Sequence, residues 1–308
     1  MQRRTSAIMG VILLFLLGGV PAHALNFTGT TDASTLVSQI VGPGITIVGT
    51  PSYKGVDDQS GTFSGGNASG IGIDQGIVLT SGDGNDIDGP NTPSIETKSS
   101  ELVSASDDID TVLGITGDSN LDALSGQDTF DAAVLEFDFQ FGDGSMGGNL
   151  FFNFVFASEE YVNFVDSEFN DVFGFFVDGE NIGLVPGTTD PITVNTVNDS
   201  TNPAFYRNNV NNTDGIPVLG LSNHFDGLTT LITAESLNLG DGPHSMKFAV
   251  ADASDAFLDA GVFIQAGTFS SEPPPNGAVP EPATILLIGS GLVGLAAARR
   301  GNFSLKKT

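Results

Sequence analysis

Residues 133–141 read Ala-Val-Leu-Glu-Phe-Asp-Phe-Gln-Phe, and this stretch decides the fold class. From Leu135 to Phe141 every second residue is apolar, and the residues between are polar. Because successive side chains of a β-strand point to opposite faces, this period of two predicts a strand with one buried face. A Gly-rich turn at 142–148 leads to a second apolar run at 150–156. We expect this run to return as the antiparallel partner in a hairpin.

The rest of the chain has the composition of a β-protein. Its 308 residues include 40 Gly and 23 Phe but no Trp, and short apolar runs alternate with Gly- and Asp-rich turns. That composition favours many short strands over helices. One helix is predicted at 32–41, where Asp32 is a suitable N-cap and Gly-Pro-Gly at 42–44 ends the helix. The sequence therefore predicts a mainly β fold, an antiparallel β-sandwich of jelly-roll type with one short N-terminal helix.

The segment 25–271, here called the body, is strongly acidic. It holds 35 of the 37 Asp and Glu residues but only four of the ten Lys and Arg residues, so its net charge is about −31. Such a charge excludes nucleic acid and anionic lipid as partners. The chain contains no Cys, which excludes disulfides and thiolate metal sites. Two interpretations of the acids stay open: solubility of a secreted protein, and binding of divalent cations.

The N-terminus has the organisation of a secretory signal peptide. Two Arg residues precede an uncharged apolar run at 7–20, and Pro21 follows the run. Ala22 and Ala24 then supply the small-x-small pattern that signal peptidase accepts. The alternative is a membrane anchor, but the run is short for a span and no basic residues follow it. We predict a signal peptide at 1–24 that is cleaved after Ala24.

A second targeting signal lies at the C-terminus, after a Pro-rich linker at 272–278. The uncharged apolar segment at 283–298 predicts a transmembrane helix, slightly shorter than the roughly 20 residues of a typical span. The basic residues after this segment favour a cytoplasmic C-terminal end. The flanking residues are Val279, Pro280, Glu281 and Pro282 before the segment, and Arg299 and Arg300 after it. A plain C-terminal membrane anchor is the alternative.

This order of Pro-Glu-Pro, short span and Arg-Arg at 279–308 resembles the PEP-CTERM sorting signal. The resemblance implies that an exosortase recognises and removes the tail, and that enzyme belongs to Gram-negative bacteria that make extracellular polysaccharide. It also implies that the chain is anchored transiently in the inner membrane. The expected final location is the cell surface or the biofilm matrix.

The most distinctive internal sequence lies in the middle of the body. It reads Phe-Asn-Phe-Val-Phe-Ala-Ser-Glu-Glu-Tyr at 152–161 and Ser-Glu-Phe-Asn-Asp-Val-Phe-Gly-Phe-Phe at 167–176. Together with further stretches, this pattern resembles the choice-of-anchor L domain over most of the body. The further matching stretches are 76–80, 206–209, 225–230 and 249–252. The resemblance implies a secreted or surface-displayed bacterial domain, and it brings no catalytic residue and no established ligand.

Several acids in and after this motif have positions suited to binding a cation. Glu159 and Glu160 follow an aromatic strand. Unless that strand has already ended in a turn, we expect one to face solvent and the other to reach inward, since strand neighbours point to opposite faces. An inward carboxylate needs a cation or several hydrogen-bond donors, and basic residues are scarce here. Calcium, which favours several loop oxygens, is the candidate cofactor, and the alternative is that these acids cap turns. The candidate ligands are Glu159, Glu160, Asp171, Asp252, Asp255 and Asp259.

The sequence has no arrangement typical of an active site. His224 and His244 are isolated, and no spacing supports a zinc site or a Ser-His-Asp triad. We therefore expect a non-enzymatic protein whose β-domain binds calcium, extracellular polysaccharide or another surface protein. A secreted polysaccharide hydrolase, with two carboxylates about 5–10 Å apart across a cleft, is the alternative. A purely structural matrix protein is a third hypothesis.

Overall fold

The computed structural model describes residues 25–89, 110–209 and 221–274, which fold into two antiparallel β-sheets. The larger sheet contains β1 (Asn26–Gly29), β3 (Ser60–Ser64), β4 (Gln75–Thr80), β6 (Gly148–Ser158), β9 (Tyr206–Asn208), β10 (Gly227–Thr229), β11 (Ile232–Leu239) and β13 (Ala260–Gln265). The smaller sheet contains β2 (Ile45–Lys54), β5 (Thr129–Phe141), β7 (Val172–Val177), β8 (Glu180–Asn181) and β12 (His244–Ala253). The helices are α1 (Ala33–Ile40), α2 (Ser119–Ser125) and two short 3-10 helices at Gly84–Ile87 and Pro203–Phe205.

Neighbouring strands in both sheets run antiparallel. The larger sheet has the order β1-β3-β4-β13-β6-β10-β9, and β11 also pairs with β6. The smaller sheet has the order β2-β5-β12-β7-β8. The predicted mainly β, antiparallel fold is therefore confirmed, and the strands that the structure describes form no closed barrel. The jelly-roll connectivity stays a prediction.

Aromatic side chains hold the two sheets face to face. Phe152 of β6 meets Phe175 of β7 with ring centroids 5.0 Å apart. Phe154 of β6 lies 5.3 Å from Phe173 and 4.9 Å from Phe175. These rings are fully buried, and their inclined, edge-on geometry is the arrangement that aromatic pairs prefer. The inter-sheet core is thus built mainly from the Phe-rich motif that marks the sequence.

Strands β5 and β6 occupy the predicted segments, but the hairpin prediction is wrong. β5 lies in the smaller sheet between β2 and β12, whereas β6 lies in the larger sheet beside β13, β10 and β11. The turn at 142–147 therefore carries the chain from one sheet to the other. The physical reason is that both strands have an aromatic face, and these faces are buried by lying on opposite sides of one core.

The predicted helix at 32–41 is confirmed as α1, but the prediction of a single helix is wrong. Asp32 caps α1, because its Oδ1 accepts a hydrogen bond from the Ser34 amide at 3.1 Å. The described residues also contain α2, which Asp118 caps in the same way. With seven residues and only Leu121 fully buried, α2 is too short to show a helical period in the sequence.

None of the helices within residues 25–89, 110–209 and 221–274 is long and apolar enough to cross a membrane. The transmembrane helix predicted at 283–298 lies outside the described residues, and so do the predicted signal peptide and the sorting residues from Val279 to Arg300.

The inter-sheet aromatic contacts predict a large stability effect for one residue. Phe152 is 0% exposed and contacts four other Phe rings, so Phe152→Ala leaves a cavity and should lower the free energy of unfolding by about 3–5 kcal/mol. Urea denaturation of protein purified from an exporting host measures this change. Phe257, 37% exposed, is the matched control, and Phe257→Ala should change stability by less than about 0.5 kcal/mol. Equal losses in both variants would contradict the assignment of the core.

Candidate functional site

At one end of the sandwich the aromatic core gives way to polar side chains. Phe248 and Val250 of β12 face the core, and Asp252 is the next residue on that face. Asp171 directly precedes β7 and lies two residues before Phe173, whose side chain faces the core, so Asp171 is on the same face. Asp259 lies directly before β13 of the larger sheet. Asp171, Asp252 and Asp259 are each 0% exposed, and we call these three residues the acidic cluster.

Asp171 links the two sheets through hydrogen bonds. Its Oδ2 accepts a bond of 2.9 Å from the hydroxyl of Ser158, which ends β6 of the larger sheet. Its Oδ1 accepts a longer bond of 3.3 Å from the amide of Ala253. Asp171 is therefore the member of the cluster whose two oxygens both have partners within the protein.

The other two acids are incompletely satisfied. Oδ2 of Asp259 accepts a hydrogen bond from the Thr111 amide at 3.1 Å, but its buried Oδ1 has no partner within the described part of the chain. Asp252 has no hydrogen-bond partner for either oxygen among the residues that the structure describes. A buried carboxylate without donors is costly when charged, because it loses its hydration and gains little in return.

Burial raises the pKa of all three carboxyl groups well above the ordinary value of 3.8. The negative charges of Asp171 and Asp259 raise the pKa of Asp252 further, and the nearby Ser81 hydroxyl offsets only part of that effect. The hydrogen bonds from Ser158 and Ala253 act in the opposite direction on Asp171. The cluster therefore holds its full negative charge only if a positive charge comes close to it.

No basic side chain in the described part of the chain supplies that charge. Lys54 donates to the carbonyl oxygen of Gly117 at 3.0 Å. Lys247 forms an ion pair of 2.6 Å with Asp118. Arg207 donates from its guanidinium group to three backbone carbonyl oxygens at 2.6–2.8 Å. Each of these cations is thus engaged elsewhere in the fold.

This organisation can now be compared with known proteins. The family of the choice-of-anchor L domain matches residues 26–270. The chain belongs to the choice-of-anchor L domain family. The PEP-CTERM protein-sorting motif matches residues 278–300, so both predicted resemblances are confirmed, and such a motif marks exported proteins bound for the cell surface. Neither curated proteins nor solved structures give a match to this choice-of-anchor L protein.

The side chains of Glu159 and Glu160 are both buried, so the expectation that one faces solvent is wrong, and the exception for a strand that has already ended applies. The reason is that β6 ends at Ser158, so the alternation of a strand no longer applies to the next two residues. The chain turns here, and the Phe164 amide donates to the Glu160 carbonyl at 3.0 Å. A role of either glutamate as a metal ligand stays a prediction.

Asp255 lies at the edge of the acidic cluster rather than inside it. It is partly exposed, and its Oδ1 accepts a hydrogen bond from the Phe257 amide at 3.2 Å. This contact is the turn-capping role that the alternative interpretation describes. Of the six predicted ligands, the structure therefore brings Asp171, Asp252 and Asp259 together in one buried layer.

Asp131 is a further buried acid near the cluster, and it was not predicted from the sequence. Its carboxylate accepts hydrogen bonds from the amides of Ile115 at 2.7 Å and Leu113 at 2.8 Å, so it holds the segment that precedes α2. Its signal in the sequence is a charged residue among the apolar residues at the start of β5. Asp131 contributes to the raised pKa of Asp252 and Asp259.

The acidic cluster is buried, and this limits which ligands and substrates can reach it. Within the described residues, no three His, Asp or Glu side chains form a ready-made metal-binding group. The cluster is also closed to a substrate, since its three carboxylates have no exposed surface. A depression of about 520 Å³ includes Asp122 and Asp131 in its lining, but both carboxylates accept local hydrogen bonds.

His244, which the sequence left isolated, forms a pair with Asp178. Its Nδ1 lies 2.7 Å from Oδ2 of Asp178, and its Nε2 lies 3.0 Å from the Gly240 carbonyl oxygen. Burial acts to lower the pKa of His244, but these two acceptors outweigh it and raise the pKa above 6.5. Burial also opposes ionisation of Asp178, yet bonds from His244 and Ser245 lower the pKa of that carboxyl below 3.8.

This pair predicts a pH-dependent contribution to stability. Because the pKa of His244 is raised in the folded protein, its charged form adds to the free energy of unfolding. This stabilisation is complete below pH 6.5 and is lost as the pH rises through the pKa of the folded state. Because the pKa of Asp178 is lowered in the folded protein, its stabilisation is complete above pH 3.8. It is lost as the pH falls through the pKa of the folded state. His244→Gln should therefore cost most stability between these limits and less towards pH 8. The cost should not exceed about 1 kcal/mol, because the Asp178 side chain is 49% exposed.

Urea midpoints of the wild-type and His244→Gln proteins from pH 4 to pH 8 measure this dependence. The Asp178→Asn variant serves as the matched partner and should flatten the same pH profile. A difference between wild type and His244→Gln that is constant across this range would show that the ring acts by packing and not as an ion.

Proposed function

We propose that this protein is an exosortase substrate displayed at the surface or in the extracellular matrix of a Gram-negative bacterium. Its acidic β-domain acts there as a non-enzymatic module for binding, adhesion or matrix structure. The observation that carries the proposal is the order of the two matches, in which the domain at 26–270 is followed directly by the sorting motif at 278–300. This order makes the folded domain the cargo of the sorting signal.

The route follows from the chemistry of the two ends. Signal peptidase cleaves after Ala24 during export. The apolar segment 283–298 then holds the chain in the inner membrane, with Arg299 and Arg300 on the cytoplasmic side. Exosortase acts at the Pro-Glu-Pro end of the motif and releases the domain from its membrane segment. The mature protein is the body with a remnant of the linker.

A non-enzymatic role is supported by the closure of the acidic cluster. A polysaccharide hydrolase with an acidic pair needs two carboxylates that face a substrate across an open cleft. The strongly perturbed carboxyls of this domain are instead fully buried at the end of the core. We therefore place recognition on the acidic outer surface, with neutral or cationic polysaccharide or another surface protein as the partner.

The sorting signal predicts a clear processing defect. Replacement of Pro280, Glu281 and Pro282 by Ala should leave the C-terminal tail attached and keep the protein in the inner-membrane fraction of a host that has an exosortase. Mass spectrometry of the purified chain, together with cell fractionation, measures both effects. The wild-type protein should lose its tail and leave that fraction.

The matched control replaces Pro273, Pro274 and Pro275 of the linker by Ala, which keeps the motif and should allow normal processing. A host without the exosortase should retain the tail of the wild-type protein. Normal removal of the tail in the motif variant, or in that host, would refute processing by exosortase.

A further inference from the structure

We infer that the acidic cluster of Asp171, Asp252 and Asp259 is a binding site for one divalent cation of the calcium class, placed between the two sheets. The cation site would exist however the chain is sorted, so its test and the sorting test can fail separately. The inference starts from buried oxygens and not from the number of acids in the chain.

The first step is the set of unsatisfied oxygens. Asp252 is 0% exposed, and neither of its carboxylate oxygens accepts a well-formed hydrogen bond within the described part of the chain. The nearby Ser81 hydroxyl donates instead to the Ala260 carbonyl oxygen at 3.3 Å. One oxygen of Asp259, also 0% exposed, likewise accepts no hydrogen bond from the described residues. Polar groups inside proteins are normally paired, and each exception calls for a missing partner. The two oxygens of Asp252 and one oxygen of Asp259 therefore indicate a shared partner that is not a protein group and that accepts lone pairs, such as a cation.

The second step is the chemistry of that partner. The basic side chains that the structure describes are engaged with other groups, so an ion from solution must supply the positive charge. The layer offers oxygen ligands, namely three carboxylates, the hydroxyl of Ser158 that already contacts Asp171, and the hydroxyl of Ser81 near Asp252. Calcium prefers such hard oxygen ligands at about 2.3–2.6 Å and tolerates irregular geometry better than magnesium does.

The third step is the position of the ion in the fold. Asp171 and Asp252 belong to the smaller sheet, whereas Asp259 leads into β13 of the larger sheet. An ion held by all three would join the two sheets at the end where the aromatic contacts stop. The carboxylates do not yet converge into a metal-binding group. The inference requires these side chains to move together when the ion binds, and the irregular coordination that calcium tolerates needs only an approximate arrangement of oxygens.

The competing explanation is that protons neutralise the cluster. The two explanations predict opposite behaviour for Asp252→Asn. In the absence of divalent cations this variant removes an uncompensated charge and should melt at the same temperature as the wild type or higher. With calcium present it removes a ligand and should lose most of the calcium-dependent stabilisation.

The experiment is thermal unfolding of the processed protein at pH 7.5 in EDTA, in 1 mM calcium and in 1 mM magnesium. For the wild type we expect calcium to raise the melting temperature by about 1–6 °C over EDTA, and magnesium to raise it much less. Asp255→Asn is the matched control, because Asp255 caps a turn beside the cluster and should keep the calcium response. Asp252→Asn and Asp259→Asn should lose that response.

A measurement on the wild type covers the case in which the variants do not fold. Tyr161 is fully buried, and its burial, Tyr206 and the charge of Asp171 together raise the pKa of its hydroxyl, so its ring lies near the cluster. Terbium bound at the cluster should therefore emit when Tyr is excited, and calcium should displace it with a stoichiometry of one. The absence of both the calcium-dependent shift and this emission would overturn the inference. An equal calcium response in Asp252→Asn, Asp259→Asn and wild type would also overturn it.

Discussion

The structure depends on the packing of aromatic side chains between the two sheets. Phe152 and Phe154 of β6 contact Phe173 and Phe175 of β7, and these rings fix the distance and the orientation of the layers. The chain has no disulfide to do this, because it has no Cys. Stability must therefore come from buried apolar area, and large rings supply more of it per residue than aliphatic side chains do. Where the rings end, the sheets need another kind of contact.

The positions of individual strands could be predicted from the sequence better than the pairing of those strands in the sheets. β5 shows a clear period of two because polar residues alternate with its buried face. β6 is buried on both faces, so its residues form a nearly continuous apolar run. Such a run does not show which side chains point towards the other sheet. The pairing of β5 with β6 could not be judged from either pattern, since hairpin and crossover turns are equally rich in Gly. Only the packing of the whole core decides between them.

The candidate site was predictable in composition but not in geometry. The acids at 171, 252 and 259 were identified, yet Asp171 is far from the other two in the chain, and the three meet only because β12 ends where β7 and β13 begin. The rule of alternation failed for Glu159 because it requires a strand that continues. Asp131 was missed because its partners, the amides of Leu113 and Ile115, lie in an irregular segment without a sequence pattern.

The buried acids and the export signal are consistent with each other in physical terms. A carboxylate inside a core destabilises the fold unless an ion or a proton neutralises it, so a purely stabilising core would have apolar residues at Asp252 and Asp259. The sorting motif sends the domain outside the cell, where modules bind calcium with dissociation constants of about 10⁻⁴–10⁻³ M. At such affinities the acidic cluster would bind its cation only after export. The cation would then join two sheets that the aromatic contacts hold at the other end.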